Sequence, residues 1–279
     1  MDSRVPSEMS AAVADSGRRF VALMRRYCND YTNRHDFSVC DEIMEDDYTL
    51  HMGVHDVTGR DSEYKPATLR QFSQFPGLCL TVNQIITNGN RLAMRFSEHG
   101  ASVRHAGRTA AWSGVGLYHW NGARLVENFV EQDYFARGAQ LASGDPNPVE
   151  NPAIAPWDTL AEPASPANED LVRRALASGE LMQAPELLFD DEWITDQSRP
   201  RIIAPTACTV NDIFSAGDHV AFHACVEGTV NPGTELGDGA TGRPAFLHFA
   251  GIVRVRDGRV VSGRGVRDRI GLMKRLRDA

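Results

Sequence analysis

The chain has 279 residues, close to twice the ~150-residue mode for one domain, so its length favours two domains. A content of 42% hydrophobic and 24% charged residues excludes disordered and fibrous classes. The net charge of −8 opposes a general attraction to nucleic acid or anionic lipid, which needs an excess of Lys and Arg. We therefore expect neither nucleic acid nor membrane as a partner.

The sequence also bears on the location of the protein and on the redox state of its cysteines. The chain has no apolar run near the ~18 residues that a spanning helix needs. Its first residues, MDSRVPSEMSAAVADSG, lack the apolar core of a signal peptide, so we expect a cytoplasmic protein. Five widely spaced cysteines, an odd number, predict reduced thiols rather than a disulfide framework or a zinc ribbon.

Hydrophobic periods in the first half predict helices followed by strands. A first helix is predicted by the helical spacing of Phe20, Met24, Tyr27 and Tyr31. A second is predicted by Phe37, Cys40 and Met44, for which Asp36 is a suitable N-cap. A third, short helix follows Pro66 and stops at Pro76–Gly77. The period then changes to two, which predicts four strands over 78–82, 92–96, 109–120 and 125–134. Helices before a meander indicate an α+β domain, a curved antiparallel sheet covered on one face by helices.

A proline-rich stretch divides the chain. Residues 142–167 hold six of the fourteen prolines and show no sustained apolar period, so they predict a linker between domains at 1–141 and 168–279. Trp157 lies within this stretch. A large aromatic residue in a linker usually docks, and we expect a strap packed on the protein surface.

The two flanks of the linker repeat each other. TVNQIITNG at 81–89 matches TVNDIFSAG at 209–217 with an offset of 128, and Gly116 and Asp133 match Gly251 and Asp268 with an offset of 135. Ordered matches at near-constant offset predict a tandem duplication. We expect the two copies to pair through their sheets as a pseudo-dimer within one chain, and further homo-oligomerisation stays open.

One strand pair carries a family resemblance. A glycine-bearing apolar strand ends in Tyr118-His119-Trp120-Asn121-Gly122, and the last strand runs into EQDYF at 131–135. Together with the order of two helices, a short helix and then strands, these two segments resemble the SnoaL-like branch of the nuclear transport factor 2-like (NTF2-like) superfamily. That superfamily includes polyketide cyclases, ketosteroid isomerase and limonene epoxide hydrolase. The resemblance covers about residues 16–141 and, more weakly, 168–276. It implies two cone-shaped NTF2-like domains, each a curved antiparallel sheet covered by helices.

The resemblance also implies site residues. Asp133 falls where the cyclases and epoxide hydrolases keep a catalytic aspartate, and Tyr27 where the isomerase has its oxyanion tyrosine. The isomerase's second oxyanion acid falls near Gly116 and its base near His51, so the sequence departs from that enzyme at both positions. The Arg-x-Asp pair of the epoxide hydrolase falls at Arg95-Phe96-Ser97, with Glu98 one residue further on.

Glu98 is the strongest catalytic candidate from the residues themselves. It continues the apolar phase of Leu92, Met94 and Phe96, which turns its carboxylate toward the buried face of a strand. A desolvated carboxylate has a raised pKa and suits general acid–base catalysis near neutral pH. The alternative is a strand-end residue in solvent. Arg95 lies on the opposite phase, where it could pair with a carboxylate or be a surface arginine.

Polar and aromatic residues extend this candidate site. Tyr48 and His51 follow the second helix, at the wide mouth of the predicted cone, where a phenol could donate to an oxyanion and an imidazole could move a proton. Both could instead be packing or surface residues. The aromatic residues expected to contact substrate, or else to fill the core, are Tyr27, Tyr31, Phe96, Trp112 and Tyr118.

The sequence predicts no metal and no cofactor. His51 and His55 are four residues apart, as are His219 and His223, but neither pair carries the glutamate of an H-E-x-x-H helix. There is no dinucleotide fingerprint or phosphate loop.

The second half lacks the candidate site. Val226 and His223 stand where the first half has Glu98 and Arg95, and matching His51 to Asp196 leaves no room for a third helix. We therefore place activity in the first domain. The leading hypothesis is a cofactor-independent acid–base enzyme (cyclase, isomerase, dehydratase or retro-aldol-type lyase) on an apolar oxygenated or aromatic small molecule. The alternatives are an epoxide hydrolase with water between Asp133 and Glu98, and a non-catalytic binding or scaffold protein.

Overall fold

The computed structural model describes residues 11–195, 201–234 and 236–278. The α-helices are α1 (Ala11–Arg26), α2 (Ser38–Ile43), α3 (Lys65–Gln74), α4 (Tyr134–Ser143), α5 (Pro166–Ala177), α6 (Glu180–Gln183), α7 (Glu192–Thr195) and α8 (Arg269–Asp278). The strands are β1 (Met44–Met52), β2 (His55–Thr58), β3 (Cys79–Thr87), β4 (Arg91–Ala101), β5 (Thr109–Trp120), β6 (Leu125–Gln132), β7 (Leu187–Phe189), β8 (Ile203–Ala216), β9 (His219–Val230), β10 (Pro244–Arg256) and β11 (Arg259–Arg267). None of these helices is both long and apolar enough to cross a membrane.

Each half of the chain forms one sheet, and the predicted α+β class is confirmed. The first sheet has the order β2-β1-β6-β5-β4-β3 and the second β7-β11-β10-β9-β8. All neighbours are antiparallel except β1 with β6 and β7 with β11, so the sheets are mixed rather than purely antiparallel.

The element boundaries differ from the predicted ones at several places. The strands predicted over 78–82 and 92–96 extend over Cys79–Thr87 and Arg91–Ala101. Met44, predicted to lie in the second helix, begins β1, and the alternation of Tyr48, Leu50 and Met52 along this strand was overlooked. The last strand of the first domain ends at Gln132, and α4 begins at Tyr134.

The pairing registers preserve the two sequence offsets. Met94 pairs with Gly116, and their repeat equivalents Phe222 and Gly251 pair in the same way. A bulge between residues 82 and 84 of β3 recurs between residues 210 and 212 of β8. Two sheets that share both register and bulge are copies of one unit.

The same registers correct one predicted match. His51 pairs with Phe129 across the parallel strands, and the equivalent pair in the second sheet is Leu188 with Arg264. The counterpart of His51 is therefore Leu188, not Asp196, which lies outside the described residues. With this correction, 20 residues separate Leu188 from the repeated TVN motif, against 29 between His51 and the same motif in the first copy.

A widened helical turn shapes the interior of the first domain. After α1, residues Tyr27–Thr32 form a π-helical segment, in which Asn33 N donates to Cys28 O at 2.9 Å. The wider turn keeps Tyr27 and Tyr31 on the buried side, where both contact the core between helices and sheet. Such insertions are frequent at functional sites.

The outer faces of the two sheets pack against each other. Their shared apolar cluster contains Ile86, Ala93, Val115 and Leu117 from the first sheet and Phe214, Ala216, Ala221, Ala250, Ile252 and Val266 from the second. The linker runs along the first domain, and Trp157 packs against its core, as its aromatic character predicted. Gly17 of α1 lies so close to the linker that a Cβ there would approach Ala161 Cβ to 2.6 Å.

Candidate active site

A cavity of about 220 Å³ lies between the sheet and the helices of the first domain. It is lined by Tyr27, Tyr31, Thr32, Leu50, Met52, Val57, Tyr64, Ala67, Thr68, Gln71, Phe72, Glu98, Gln132 and Tyr134. The α1 extension and α3 form one wall and the strands the other. Mostly apolar walls with a few polar groups are typical of small-molecule sites.

Glu98 supplies the carboxylate of this cavity. Its side chain shares the inner face of β4 with Leu92, Met94 and Phe96, as the alternation predicted, and the residue is 6% exposed. Burial raises the pKa of Glu98 to about 7, against the opposing effects of the Arg137 charge and a hydrogen bond from Gln71. The carboxyl group thus holds comparable protonated and ionised populations near neutral pH.

Gln71 on α3 orients that carboxylate. Its Nε2 donates to Glu98 Oε2 at 2.7 Å, and its Oε1 accepts from the Tyr134 hydroxyl at 3.4 Å. The guanidinium of Arg137 lies over the Tyr134 ring at 4.0 Å. Glu98 is therefore held by Gln71 and by a further hydrogen bond with Trp112, while its carboxyl group still lines the cavity.

All six tyrosines of the chain belong to the first domain, and four of them line the cavity. The hydroxyls of Tyr27 and Tyr64 lie 3.1 Å apart. Burial raises the pKa of both phenols well above the ordinary value, so they are neutral hydrogen-bond donors at neutral pH. Neutral phenols that line a cavity are suited to stabilise a developing oxyanion.

The predicted substrate-contacting aromatics divide into two groups. Tyr27 and Tyr31 line the cavity. Phe96, Trp112 and Tyr118 pack in the surrounding core instead and do not reach the cavity surface. The Phe96 ring, for example, covers Gly114, where a Cβ would approach its Cζ to 2.3 Å.

Tyr48 lies behind the cavity wall rather than at its mouth. The residue is fully buried, and its ring meets that of Tyr64 edge to face at a centroid distance of 5.1 Å. Its position supports Tyr64 and does not favour the predicted direct role.

His51 and Arg95 lie outside the cavity. His51 Nδ1 is 2.6 Å from Asp56 Oδ1 and its Nε2 is 2.9 Å from Glu127 Oε1. Arg95 forms two hydrogen bonds to Glu150 of the linker, at 2.6 and 2.8 Å. Their strand positions turn both side chains away from the cone interior, so the geometry does not favour the predicted catalytic roles.

Asp133 lies between the domains. Arg269 Nη2 of α8 donates to both of its oxygens, at 2.8 and 2.7 Å, and Ala136 N donates to Oδ1 at 3.0 Å at the start of α4. Asp268, its repeat equivalent, caps α8 in the same way through Gly271 N at 2.8 Å. The aspartate position is thus explained by helix capping in both copies, and the geometry does not favour a proton-transfer role.

Sequence reasoning missed Gln71, Tyr64, Gln132, Tyr134 and Arg137. One signal was available: Ala67, Thr68, Gln71 and Phe72 recur at helical spacing and together form the α3 wall. In the second domain, Val226 stands at the Glu98 position and is 1% exposed within an apolar core. That copy has no carboxylate at the equivalent point.

The comparisons agree with this architecture. A SnoaL-like domain model matches residues 24–128, and a SnoaL-like polyketide cyclase model matches residues 202–276. The first match extends from the end of α1 to the start of β6, and the second from β8 into α8. No curated protein matches the chain significantly.

Solved structures with weak similarity include three proposed polyketide cyclases. The protein from Acidithiobacillus ferrooxidans is 18% identical, with 44% of this chain and 94% of that chain covered and a TM-score of 0.39. The Jannaschia sp. CCS1 protein is 14% identical over 50% and 98% of the two chains, with a TM-score of 0.39. IdmH from Streptomyces antibioticus is 19% identical over 45% and 98%, with a TM-score of 0.39. These values are too low to support an inference about the reaction. The two family matches and the repeated sheet show that the chain carries two SnoaL-like domains in tandem.

Proposed function

We propose that the first domain is a cofactor-independent acid–base catalyst of the cyclase or isomerase type, acting on a small apolar carbonyl compound. The observation that carries the proposal is Glu98, a buried carboxyl group with a pKa of about 7 in a tyrosine-lined cavity. A general base works best when its pKa lies near the operating pH. The SnoaL-like polyketide cyclase match supports a cyclase-type function at the coarser level.

The proposed first step is proton abstraction next to a carbonyl. The ionised form of Glu98 removes the proton, the C–H electrons form the enolate, and the negative charge moves to the carbonyl oxygen. The neutral hydroxyls of Tyr27 and Tyr64 donate to that oxygen, and Gln71 fixes the carboxylate.

The second step returns the proton. In an isomerisation, protonated Glu98 delivers it to a different carbon of the enolate. In a cyclisation, the enolate carbon attacks a second carbonyl of the same molecule to form a C–C bond, and the resulting alkoxide takes the proton from Glu98. Both routes regenerate the carboxylate without an external oxidant, reductant or group donor.

The dimensions and lining of the cavity support a compact substrate. A volume of about 220 Å³ suits one small ring system. Leu50, Met52 and Phe72 offer apolar contacts, while Glu98 and the tyrosines provide the polar ones.

The geometry does not favour epoxide hydrolysis. That reading needs Asp133 and Glu98 on either side of a water molecule, but Asp133 is held by Arg269 between the domains. Arg95, the other expected participant, is bound to Glu150.

The test is enzyme-dependent exchange of the α-protons of β-tetralone in heavy water, followed by proton NMR. We expect exchange above the buffer rate in the wild type and a loss of ~10²–10⁴-fold in Glu98→Gln, which keeps the side-chain volume. Glu42→Gln, on an exposed carboxylate paired with Arg26, is the matched control and should exchange normally. Equal exchange in wild type and Glu98→Gln would overturn the proposal. Saturable ketone binding without exchange would favour the binding-protein alternative.

A further inference from the structure

A buried cluster of potential metal ligands lies where the two sheets meet. It consists of Glu131 from β6, His223 from β9 and His248 from β10. One ligand atom from each residue lies within 4.8 Å of the others. Glu131 and His223 are each 1% exposed, so the cluster is enclosed by both domains.

The hydrogen bonds of this cluster leave one ligand atom unsatisfied. His223 Nε2 is 2.9 Å from Glu131 Oε1, which also accepts from Gly53 N at 2.9 Å. His248 Nδ1 is buried and has no hydrogen-bond partner among the residues that the structure describes. A buried imidazole nitrogen left unsatisfied needs an explanation.

We propose that Glu131, His223 and His248 bind one divalent transition-metal ion, Zn²⁺ in the first instance, and that this ion ties the two domains together. Two neutral imidazoles and one carboxylate are a common donor set for Zn²⁺. Glu131 comes from the first domain and both histidines from the second, so neither domain forms the site alone. The described side chains supply three ligands, and water completes the coordination.

A second layer of contacts surrounds the ligands. Asn211 Nδ2 donates to His223 Nδ1 at 3.0 Å, which leaves the ring proton on Nε2, 2.9 Å from Glu131 Oε1. Metal binding at Nε2 displaces that proton and requires the Asn211 amide to turn its oxygen toward Nδ1. Asp268 N donates to His248 O at 2.9 Å and fixes the backbone of that ligand.

The charged groups around the cluster are also accounted for. Asp268 and Arg275, which lie 3.4 Å apart, contribute opposite charges near the cluster. The ligand set itself is one carboxylate and two imidazole rings, so a divalent cation leaves a site of modest net charge.

The metal site is separate from the proposed catalytic cavity. Glu131 alternates along β6 with Gln132, which lines the cavity, so the two side chains lie on opposite faces of the sheet. The ion therefore has a structural role and takes no part in the proton transfers of Glu98. The inference revises the sequence-based expectation of no metal.

No short motif in the sequence indicates this site. Metal ligands are usually recognised by short spacings, but here the three residues are 92 and 25 positions apart. Only the packing of one sheet on the other brings them together.

The test uses full-length protein treated with a chelator and then titrated with Co²⁺ or Zn²⁺. We expect one equivalent of Co²⁺ to produce visible d–d absorption, and Zn²⁺ to displace it and raise the thermal unfolding midpoint. His248→Asn, the least buried ligand, should weaken Zn²⁺ binding at least ~10-fold, and His223→Asn should do the same. The exposed His55→Asn is the control and should bind normally.

Three results would overturn the proposal. The first is that the wild type binds no metal at micromolar concentration, and the second is that His248→Asn binds as tightly as the wild type. The third is that His51→Asn loses binding instead, which would assign the ion to the pair of His51 with Glu127. Ketone exchange by His248→Asn at the wild-type rate is expected, which separates this proposal from the proposed function.

Discussion

Arg269 of the second domain binds Asp133 of the first through one nitrogen, Nη2, which lies 2.8 and 2.7 Å from the two carboxylate oxygens. Both residues are at most 2% exposed. Burial raises the pKa of Asp133, and the Arg269 charge opposes that shift. The pair joins α4 to α8 across the interface and occupies the position where the family resemblance implied a catalytic acid.

Asp133→Asn should therefore reduce stability and leave proton exchange intact. We expect a loss of roughly 3 kcal/mol, at the low end for breaking a buried pair, because Asp190 stays close to Arg269 and Asn retains the helix cap. Denaturant unfolding and the ketone-exchange assay measure the two effects. A stable variant without exchange activity would restore Asp133 to the catalytic machinery.

The repeat supplies a matched control for that variant. Asp268 caps α8 as Asp133 caps α4, but its ion pair with Arg275 is longer, at 3.4 Å, and less buried. Asp268→Asn should cost no more than ~1 kcal/mol and should also retain exchange. A larger loss than in Asp133→Asn would contradict this difference between the two domains.

Replacing Glu98 should alter the pH dependence of stability. Its pKa is raised from 4.5 to about 7, so between these values the folded state binds more protons than the unfolded state, and stability falls as pH rises. The ionised carboxylate then costs up to about 3 kcal/mol above pH 7. Glu98→Gln should lose this pH dependence and gain stability relative to wild type at pH 8 but not at pH 5. An equal stability difference at both pH values would count against a buried, titrating Glu98.

Removing the hydrogen bond from Gln71 should raise the pKa of Glu98 further. That bond stabilises the ionised form, so Gln71→Leu should move the pH–rate profile for ketone exchange upward by roughly one pH unit. Gln74→Leu is the control on the same helix, because Gln74 donates to Ser102 instead. An unchanged profile in Gln71→Leu would mean that the bond is not made in solution.

Separating the domains should expose the apolar interface. A chain ending at Ala164 keeps linker residues 142–164 but uncovers Ile86, Ala93, Val115 and Leu117. We expect it to dimerise or aggregate, and a Val115→Lys version to be more nearly monomeric, as measured by light scattering after size exclusion. A monomeric fragment without the lysine would show that the second domain is not needed as a partner.

The sequence predicted the features that depend on local periodicity. The alternation through Leu92, Met94 and Phe96 placed Glu98 on the inner face, and the helical spacing of Tyr27 and Tyr31 placed both at the cavity. The repeat offsets predicted two similar sheets, a fold that the family models support.

Such local patterns do not predict contacts between segments that are distant in the sequence. Alternation indicates which face of the sheet a side chain lies on but not which residue it contacts. The sequence around Asp133 therefore did not predict its ion pair with Arg269, 136 positions away. The same holds for Arg95, whose partner Glu150 comes from the linker, and for the Glu131 cluster. The prediction for Tyr48 was wrong for a different reason. Because β1 was not recognised as a strand, the inward position of the Tyr48 side chain was missed.

The most direct test of the account is the titration of Glu98 itself. Carbon-13 NMR of protein labelled at the glutamate carboxyl carbons, with Glu98→Gln to assign the resonance, reports its pKa without any substrate. The account predicts a midpoint of about 7. A midpoint near the ordinary value of 4.5 would contradict it, since Glu98 would then be a fully ionised, solvated carboxylate with no special capacity for proton transfer at neutral pH.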